Sequence, residues 1–135
     1  MITPEQRKHL VSMRIEQAEQ AIQRVEACLA NNQPELAANR IYYGMFYAML
    51  ALAMLRGFET SKHQQIQGWF NKNFVHTGIF PNQFSKIVKD AFVARTDADY
   101  KLNATPALAD LESMLADMKT FISTIKAWIE AHPAT

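Results

Sequence analysis

Apolar side chains recur at alternating intervals of three and four residues along most of the chain, the spacing of one face of an α-helix. The first stripe consists of Val11, Ile15, Ala18, Ile22, Val25 and Leu29, and the last of Leu108, Leu111, Leu115, Met118, Ile122, Ile125 and Ile129. The predicted helices cover residues 4–30, 34–56, 62–75, 82–98 and 105–131. No stretch alternates apolar and polar residues as a half-buried strand would. The pattern predicts an all-α, up-and-down bundle of four or five helices, forming a single domain over residues 1–135.

Short local motifs indicate where these helices begin and end. Residues 3–6, Thr-Pro-Glu-Gln, predict a capping box with proline in the first turn. Residues 61–64, Ser-Lys-His-Gln, repeat that arrangement before the third helix. Thr105, followed by Pro106, predicts the start of the last helix in the same way. Gly57 is expected to end the second helix in the left-handed conformation.

The segment 36–55 is apolar or aromatic on nearly every face, whereas a surface helix would carry a polar side. It is therefore predicted to be the most buried element, with the other helices packed around it. Its polar exceptions, Asn39 and Arg40, lie beside tyrosines and a phenylalanine. An arginine carried into an aromatic layer requires a partner for its guanidinium.

The net charge of +1 is unevenly distributed along the chain. Residues 36–101 contain eight Lys/Arg and four Asp/Glu, whereas the flanking segments are slightly acidic. This excess is weaker than the basic stripe of a dedicated nucleic-acid-binding protein. The single cysteine, Cys28, cannot form an internal disulfide, and the polar residues of the segment 36–55 argue against a membrane span. A cytoplasmic protein is expected.

Few residues carry recognisable chemistry. The four histidines have no mutual metal-ligand spacing, so neither a metal nor a cofactor is expected. Arg95 and Asp99 lie one turn apart if the fourth helix continues, which predicts an i,i+4 ion pair. Because Arg95 follows an apolar face, its guanidinium is expected to be partly enclosed, with Arg40 or Tyr43 in the same network. Such a network is either structural or a phosphate-binding site.

Three blocks of sequence resemble those of the HEPN domain family, in particular its small stand-alone prokaryotic branch. They read AANRIYYGMFYAMLALAML, KHQQIQGWFNKNFVHTGIFP and ARTDADY, and they occur in the family's order within residues 1–130. The resemblance implies a helical bundle that often dimerises and is frequently encoded beside a minimal nucleotidyltransferase, as half of a toxin–antitoxin pair. Many members are metal-independent ribonucleases that use an arginine followed, after four to six residues, by a histidine.

Arg95 matches the arginine of that motif, but the positions expected for the histidine hold Tyr100, Lys101 and Leu102. A tyrosine, whose reference pKa is near 10, is a poor base at neutral pH. The first hypothesis is therefore a non-catalytic module that binds a nucleotide or a nucleotidyltransferase partner. Its candidate binding residues are Arg40, Tyr43, His63, Arg95, Asp99, Tyr100 and Lys101. The alternative is a ribonuclease toxin in which Arg95 works with a displaced base, His63 or Tyr100.

The expected assembly is a homodimer, with a nucleotidyltransferase partner and an RNA or nucleotide ligand as further possibilities and no membrane association. Besides the resemblance, this expectation rests on aromatic residues that exceed the packing needs of a short third helix. These residues, expected to be exposed, are Trp69, Phe70, Phe74 and Phe80.

Overall fold

A computed structural model describes residues 2–100 and 105–133, and it contains five helices and no strand within those ranges. The helices are α1 (Pro4–Ala30), α2 (Pro34–Arg56), α3 (His63–Phe70), α4 (Gln83–Tyr100) and α5 (Leu108–Ala131), and a π-helical turn, Asn71–Val75, continues α3. The predicted all-α helical bundle is confirmed. None of the described helices is long and apolar enough to cross a membrane.

The ends of α1 and α2 follow the local motifs. Thr3 Oγ1 accepts a hydrogen bond of 3.0 Å from the Gln6 amide, and Gln6 Oε1 accepts one of 2.8 Å from the Thr3 amide, which completes the capping box. Pro34 occupies the first turn of α2, and Gly57 ends that helix with a φ angle of 75°. That angle is in the left-handed region, where glycine avoids the strain of a Cβ atom.

The predicted capping box at residues 61–64 is wrong. Lys62 is the N-cap residue of α3 and its side chain makes no capping hydrogen bond. The hydroxyl of Thr60 accepts a hydrogen bond from the Lys62 amide at 3.2 Å and donates to Gln65 Oε1 at 2.6 Å. Thr60 thus links the loop to the first turn, and the helix begins at His63, one residue later than the motif suggested.

The predicted start of the last helix is also wrong. α5 begins at Leu108, with Ala107 as its N-cap residue and no side-chain cap. The hydroxyl of Thr105 instead donates a hydrogen bond of 3.0 Å to Glu35 Oε1 at the start of α2. A long-range contact between helix ends thus replaces the local cap.

The helix α2 lies at the centre of the bundle, as predicted for residues 36–55. It packs most extensively against α1 and also contacts α3, α4 and α5. Its buried residues are Ala37, Ala38, Ile41, Tyr42, Gly44, Met45, Phe46, Ala48, Met49, Ala51, Leu52 and Ala53. The expectation of burial on every face needs one correction, because one line of side chains at helical spacing remains half-exposed or exposed. This outer stripe consists of Leu36, Arg40, Tyr43, Tyr47, Leu50 and Met54.

The predicted exposure of the aromatic residues after α2 is wrong. Phe70, Phe74 and Phe80 are buried, and Trp69 is half-buried and stacks on Phe58 with ring centroids 5.1 Å apart. The reason is that the chain turns back after the π-helical turn, where the Phe80 amide donates to the Phe74 carbonyl at 2.8 Å. Phenylalanines of this segment then stack on one another and on aromatic residues of α5. They form core and supply no surface for dimerisation.

Candidate functional site

Arg95 lies near the C-terminal end of α4, with 17% of its side chain exposed. Its Nε atom is 3.0 Å from Asp99 Oδ2, so the predicted ion pair is present. The Nε–H group makes no directed hydrogen bond within the described residues, which makes this contact mainly Coulombic. Nη2 donates a long hydrogen bond of 3.4 Å to the Tyr43 hydroxyl, and the guanidinium lies 5.5 Å from the centroid of the Tyr43 ring. The ion pair is therefore anchored to α2 through Tyr43.

A second arginine reaches the same tyrosine. The Arg40 guanidinium lies 5.3 Å from the Tyr43 ring centroid, within the range of a cation–π interaction. Its Nε and Nη2 atoms donate to Asn39 Oδ1 at 2.9 and 2.5 Å. Asn39 is uncharged, so Tyr43 lies between two guanidinium groups, of which Arg95 alone is paired with a carboxylate among the described residues. This group, the Arg95 cluster, consists of Arg40, Tyr43, Arg95 and Asp99, and its two guanidinium groups and one carboxylate give it a net positive charge.

Next to these arginines, Tyr42 joins α2 to α3 through hydrogen bonds. Its hydroxyl, on a fully buried side chain, accepts a hydrogen bond of 3.0 Å from Gln67 Nε2 and lies 2.9 Å from His63 Nδ1. Burial raises the pKa of Tyr42 to about 12, so this hydroxyl keeps its proton at neutral pH. We assign this hydroxyl as the donor to His63 Nδ1, because a buried phenol proton requires an acceptor and the phenol oxygen already accepts from Gln67.

That hydrogen bond and the surroundings hold His63 in one neutral form. Burial first, and the positive charge of Arg95 second, lower the pKa of His63 below its ordinary value of 6.5. The imidazole ring packs 4.4 Å from Phe46 and 5.7 Å from Tyr43, measured between ring centroids. Because Nδ1 accepts from Tyr42, the ring proton belongs on Nε2. The site therefore combines a neutral imidazole with a guanidinium whose charge acts on it.

The comparison with known protein families agrees with this architecture. The family model described as "HEPN domain" matches residues 11–128. The chain belongs to the HEPN domain family. A "UPF0332 protein" of Thermotoga maritima is 28% identical over 84% of this chain and 86% of its own length. A Methanocaldococcus jannaschii protein named "Putative toxin MJ0142" is 26% identical over 85% of this chain and 78% of its own length. A "UPF0332 protein" of Pyrococcus horikoshii is 24% identical over 89% and 80%, respectively.

Five of the seven candidate residues lie together in this HEPN domain; they are Arg40, Tyr43, His63, Arg95 and Asp99. The side chain of Tyr100 and the whole of Lys101 lie outside the described residues. Within the described part of the chain, no three His, Cys, Asp or Glu side chains are grouped so that they could hold a metal ion.

Sequence reasoning missed the two side chains that hold His63, namely Tyr42 and Gln67. Gln67 follows His63 by one helical turn, so the two side chains share a face of α3, and this signal was available. Tyr42 is a tyrosine in the most buried helix, and a buried phenol hydroxyl requires a partner. What the sequence did not contain is the crossing of α2 and α3 that brings the three together.

Proposed function

We propose that this HEPN protein binds a phosphate-bearing ligand, a nucleotide or RNA, at the Arg95 cluster without cleaving it. The observation that carries this proposal is the hydrogen bond between the Tyr42 hydroxyl and His63 Nδ1. A general base needs a free lone pair within reach of the proton that it removes. In neutral His63 the only such lone pair is on Nδ1, and the Tyr42 hydroxyl occupies it.

The charges of the cluster support phosphate binding. Arg40 and Arg95 bring two guanidinium groups to one tyrosine, and Asp99 offsets only one of them. Guanidinium groups donate pairs of parallel hydrogen bonds that match the oxygens of a phosphate. His63 adds an Nε2–H group, which acts as a donor to an anion and contributes no charge of its own.

A metal-independent ribonuclease is the second candidate, and one specific observation favours it. His63 and Arg95 both approach Tyr43, and Arg95 is close enough to lower the pKa of His63. A histidine and an arginine so arranged would move a proton and stabilise phosphate charge, respectively. This alternative requires His63 to release Tyr42 when RNA binds.

One experiment separates the two candidates. A labelled single-stranded RNA is titrated with the protein in EDTA, binding is followed by fluorescence anisotropy, and the same samples are resolved on a denaturing gel. We expect intact RNA and a Kd that rises about tenfold or more in Arg95→Gln, since charge-assisted hydrogen bonds are lost. Arg24→Gln is the matched control, because Arg24 is exposed and belongs to α1, which contributes no residue to the cluster.

The outcomes are distinct. RNA that is cut by the wild-type protein and left intact by His63→Gln would establish the ribonuclease instead. Equal affinities of Arg95→Gln and Arg24→Gln would refute a ligand site at Arg95. Thermal melts of each variant are needed alongside, because lost stability without any binding to lose would make the network a structural one.

We further propose that the protein acts as a homodimer within a toxin–antitoxin type pair, with a minimal nucleotidyltransferase as its partner. The support for an interface is the outer stripe of α2, where Tyr43, Tyr47, Leu50 and Met54 remain half-exposed on an otherwise buried helix. Sedimentation equilibrium should give twice the chain mass of 15.4 kDa at micromolar concentration. Tyr47→Glu should restore the monomer, and a wild-type monomer would refute the dimer.

A further inference from the structure

A second cleft lies at the end of the bundle where α2 and α5 terminate and α1 begins. This terminal cleft has a volume of about 480 Å³, in the range of small-ligand sites. Its lining residues are Arg7, Leu55, Arg56, Gly57, Trp128, His132 and Pro133. No carboxylate belongs to that lining among the described residues, although two arginines do. Unlike the Arg95 cluster, the described lining of the cleft therefore supplies no counter-charge.

Arg56 is held in place by aromatic rings and not by acceptors. Its guanidinium lies 5.4 Å from the ring centroid of Phe74 and 5.3 Å from that of Trp128. Phe74 is fully buried, so the ring that supports the guanidinium is fixed by the core. No described residue offers an oxygen to Arg56, and the residue is exposed. The guanidinium is thus oriented in advance while its donors remain available.

Arg7 has one structural task, which leaves most of its donors unused. Its Nη1 atom donates to the Met54 carbonyl oxygen at 2.5 Å, near the C-terminal end of α2. This contact satisfies a helix-end carbonyl and complements the negative end of the helix dipole. Arg56 also lies in the last turn of α2, but among the described residues its guanidinium donates to no carbonyl. Its packing against Phe74 and Trp128 fixes its position without using its hydrogen-bond donors.

The rings around the cleft favour an anion over a nucleobase as its ligand. The imidazole of His132 stacks on Trp128 with ring centroids 4.2 Å apart and an interplanar angle of 13°. Arg56 lies against the same indole, and Phe74 meets it edge to face at 5.1 Å. With its neighbours already in place, Trp128 serves to position Arg56 and His132 and offers little room for a stacked base.

We propose that the terminal cleft binds a phosphate group through Arg56 and Arg7. The paired donors of a guanidinium match phosphate oxygens, and the cleft offers two guanidinium groups with no competing carboxylate in its described lining. The site is separate from the Arg95 cluster, since Arg40 and Arg56 are about 24 Å apart along α2 at 1.5 Å per residue. The phosphate belongs either to a small molecule or to the backbone of RNA.

The two tryptophans allow a site-specific test by NMR. Indole N–H signals of the ¹⁵N-labelled protein are followed while inorganic phosphate is added at constant ionic strength, with chloride as the balancing ion. Trp128 lines the cleft, whereas Trp69 stacks on Phe58 outside it. We expect a saturable shift of the Trp128 signal and little change for Trp69. Trp69→Phe assigns the two signals.

Variants connect that shift to the guanidinium. Arg56→Gln should raise the Kd for phosphate about tenfold or more, through the loss of charge-assisted hydrogen bonds. Arg56→Lys keeps the charge but loses the planar guanidinium group. Its Kd for phosphate should lie between those of Arg56→Gln and the wild type. Arg95→Gln should leave the Trp128 titration unchanged. Loss of binding at the terminal cleft can therefore be distinguished from loss of binding at the Arg95 cluster.

A second titration identifies the source of the phosphate. If a single-stranded RNA without terminal phosphates shifts the Trp128 signal at lower concentration than inorganic phosphate does, the backbone phosphate of RNA is the ligand. The reverse order indicates a small phosphorylated molecule. A Trp128 signal that does not respond to either ligand, or that responds identically in Arg56→Gln or disappears in Arg95→Gln, would overturn the proposal.

Discussion

The substitution Tyr42→Phe tests the hydrogen bonds that join α2 to α3. Phenylalanine keeps the buried ring and removes only the hydroxyl, so His63 Nδ1 and Gln67 Nε2 each lose their partner. A typical hydrogen bond contributes a net 0.5–1.5 kcal/mol, and leaving a buried group unsatisfied costs about 1–3 kcal/mol. Because His63 and Gln67 are only half-buried, water can reach them in part. We therefore expect the free energy of unfolding to fall by about 1–2 kcal/mol.

Urea denaturation followed by circular dichroism measures this loss, and Tyr47→Phe provides the matched control. Tyr47 lies on the same helix, in the half-exposed outer stripe, and its hydroxyl has no hydrogen-bond partner among the described residues. Its loss should change the free energy of unfolding by less than about 0.5 kcal/mol. If both variants lose the same amount, or Tyr42→Phe loses nothing, the hydroxyl does not hold the two helices together and the reasoning fails.

Two further predictions concern pH and close packing. Burial and a nearby guanidinium lower the pKa of His63 below 6.5, so on acidification the unfolded chain takes up that proton first. The contribution of His63 to the free energy of unfolding is then complete above pH 6.5 and decreases from there down to the folded-state pKa. Denaturation curves measured at several pH values should show this decrease in the wild type, and His63→Gln should remove it. At Gly44, an added Cβ atom would overlap Met118 Cε and lie 3.1 Å from Ala21 Cβ. Gly44→Val should lower the free energy of unfolding by about 1–3 kcal/mol, because the added side chain overpacks the core. Gly68→Val is the control and should not lower it, since nothing lies within 4 Å of a Cβ atom at that position. Equal melting temperatures of the two variants would contradict this prediction.

Most features that depend on one helix alone could be predicted from the sequence, although the capping box expected at residues 61–64 is absent. The bounds of α1 and α2 follow from apolar spacing, a capping box and a left-handed glycine. The ion pair between Arg95 and Asp99 follows from their separation by one helical turn. In each case the interacting groups are neighbours in the sequence, so local geometry determines the contact.

Features that join separate helices could not be predicted in this way. The burial of Phe70 and Phe74 depends on the return of the chain after the π-helical turn, which no local motif announces. The sequence predicts Thr105 as a helix cap, yet its hydroxyl donates to Glu35, 70 residues away. The terminal cleft draws its residues from three regions of the chain, so no single stripe or motif marks it.

The hydroxyl of Tyr42 connects stability and chemistry in this domain. Tyr42 is fully buried, whereas Tyr43, the next residue on α2, is half-exposed and contacts Arg95. The hydrogen bond that fixes α3 is therefore the same one that occupies the lone pair of His63. A ribonuclease would have to break this bond, while a binding module keeps it.

Tyr42→Phe frees Nδ1 while leaving Arg95 in place, so applying the RNA assay to this variant asks whether the hydroxyl alone prevents cleavage. Cleavage by Tyr42→Phe but not by the wild type would show that it does. Intact RNA with both proteins would mean that His63 lacks the position, and not merely the free lone pair, that a base requires.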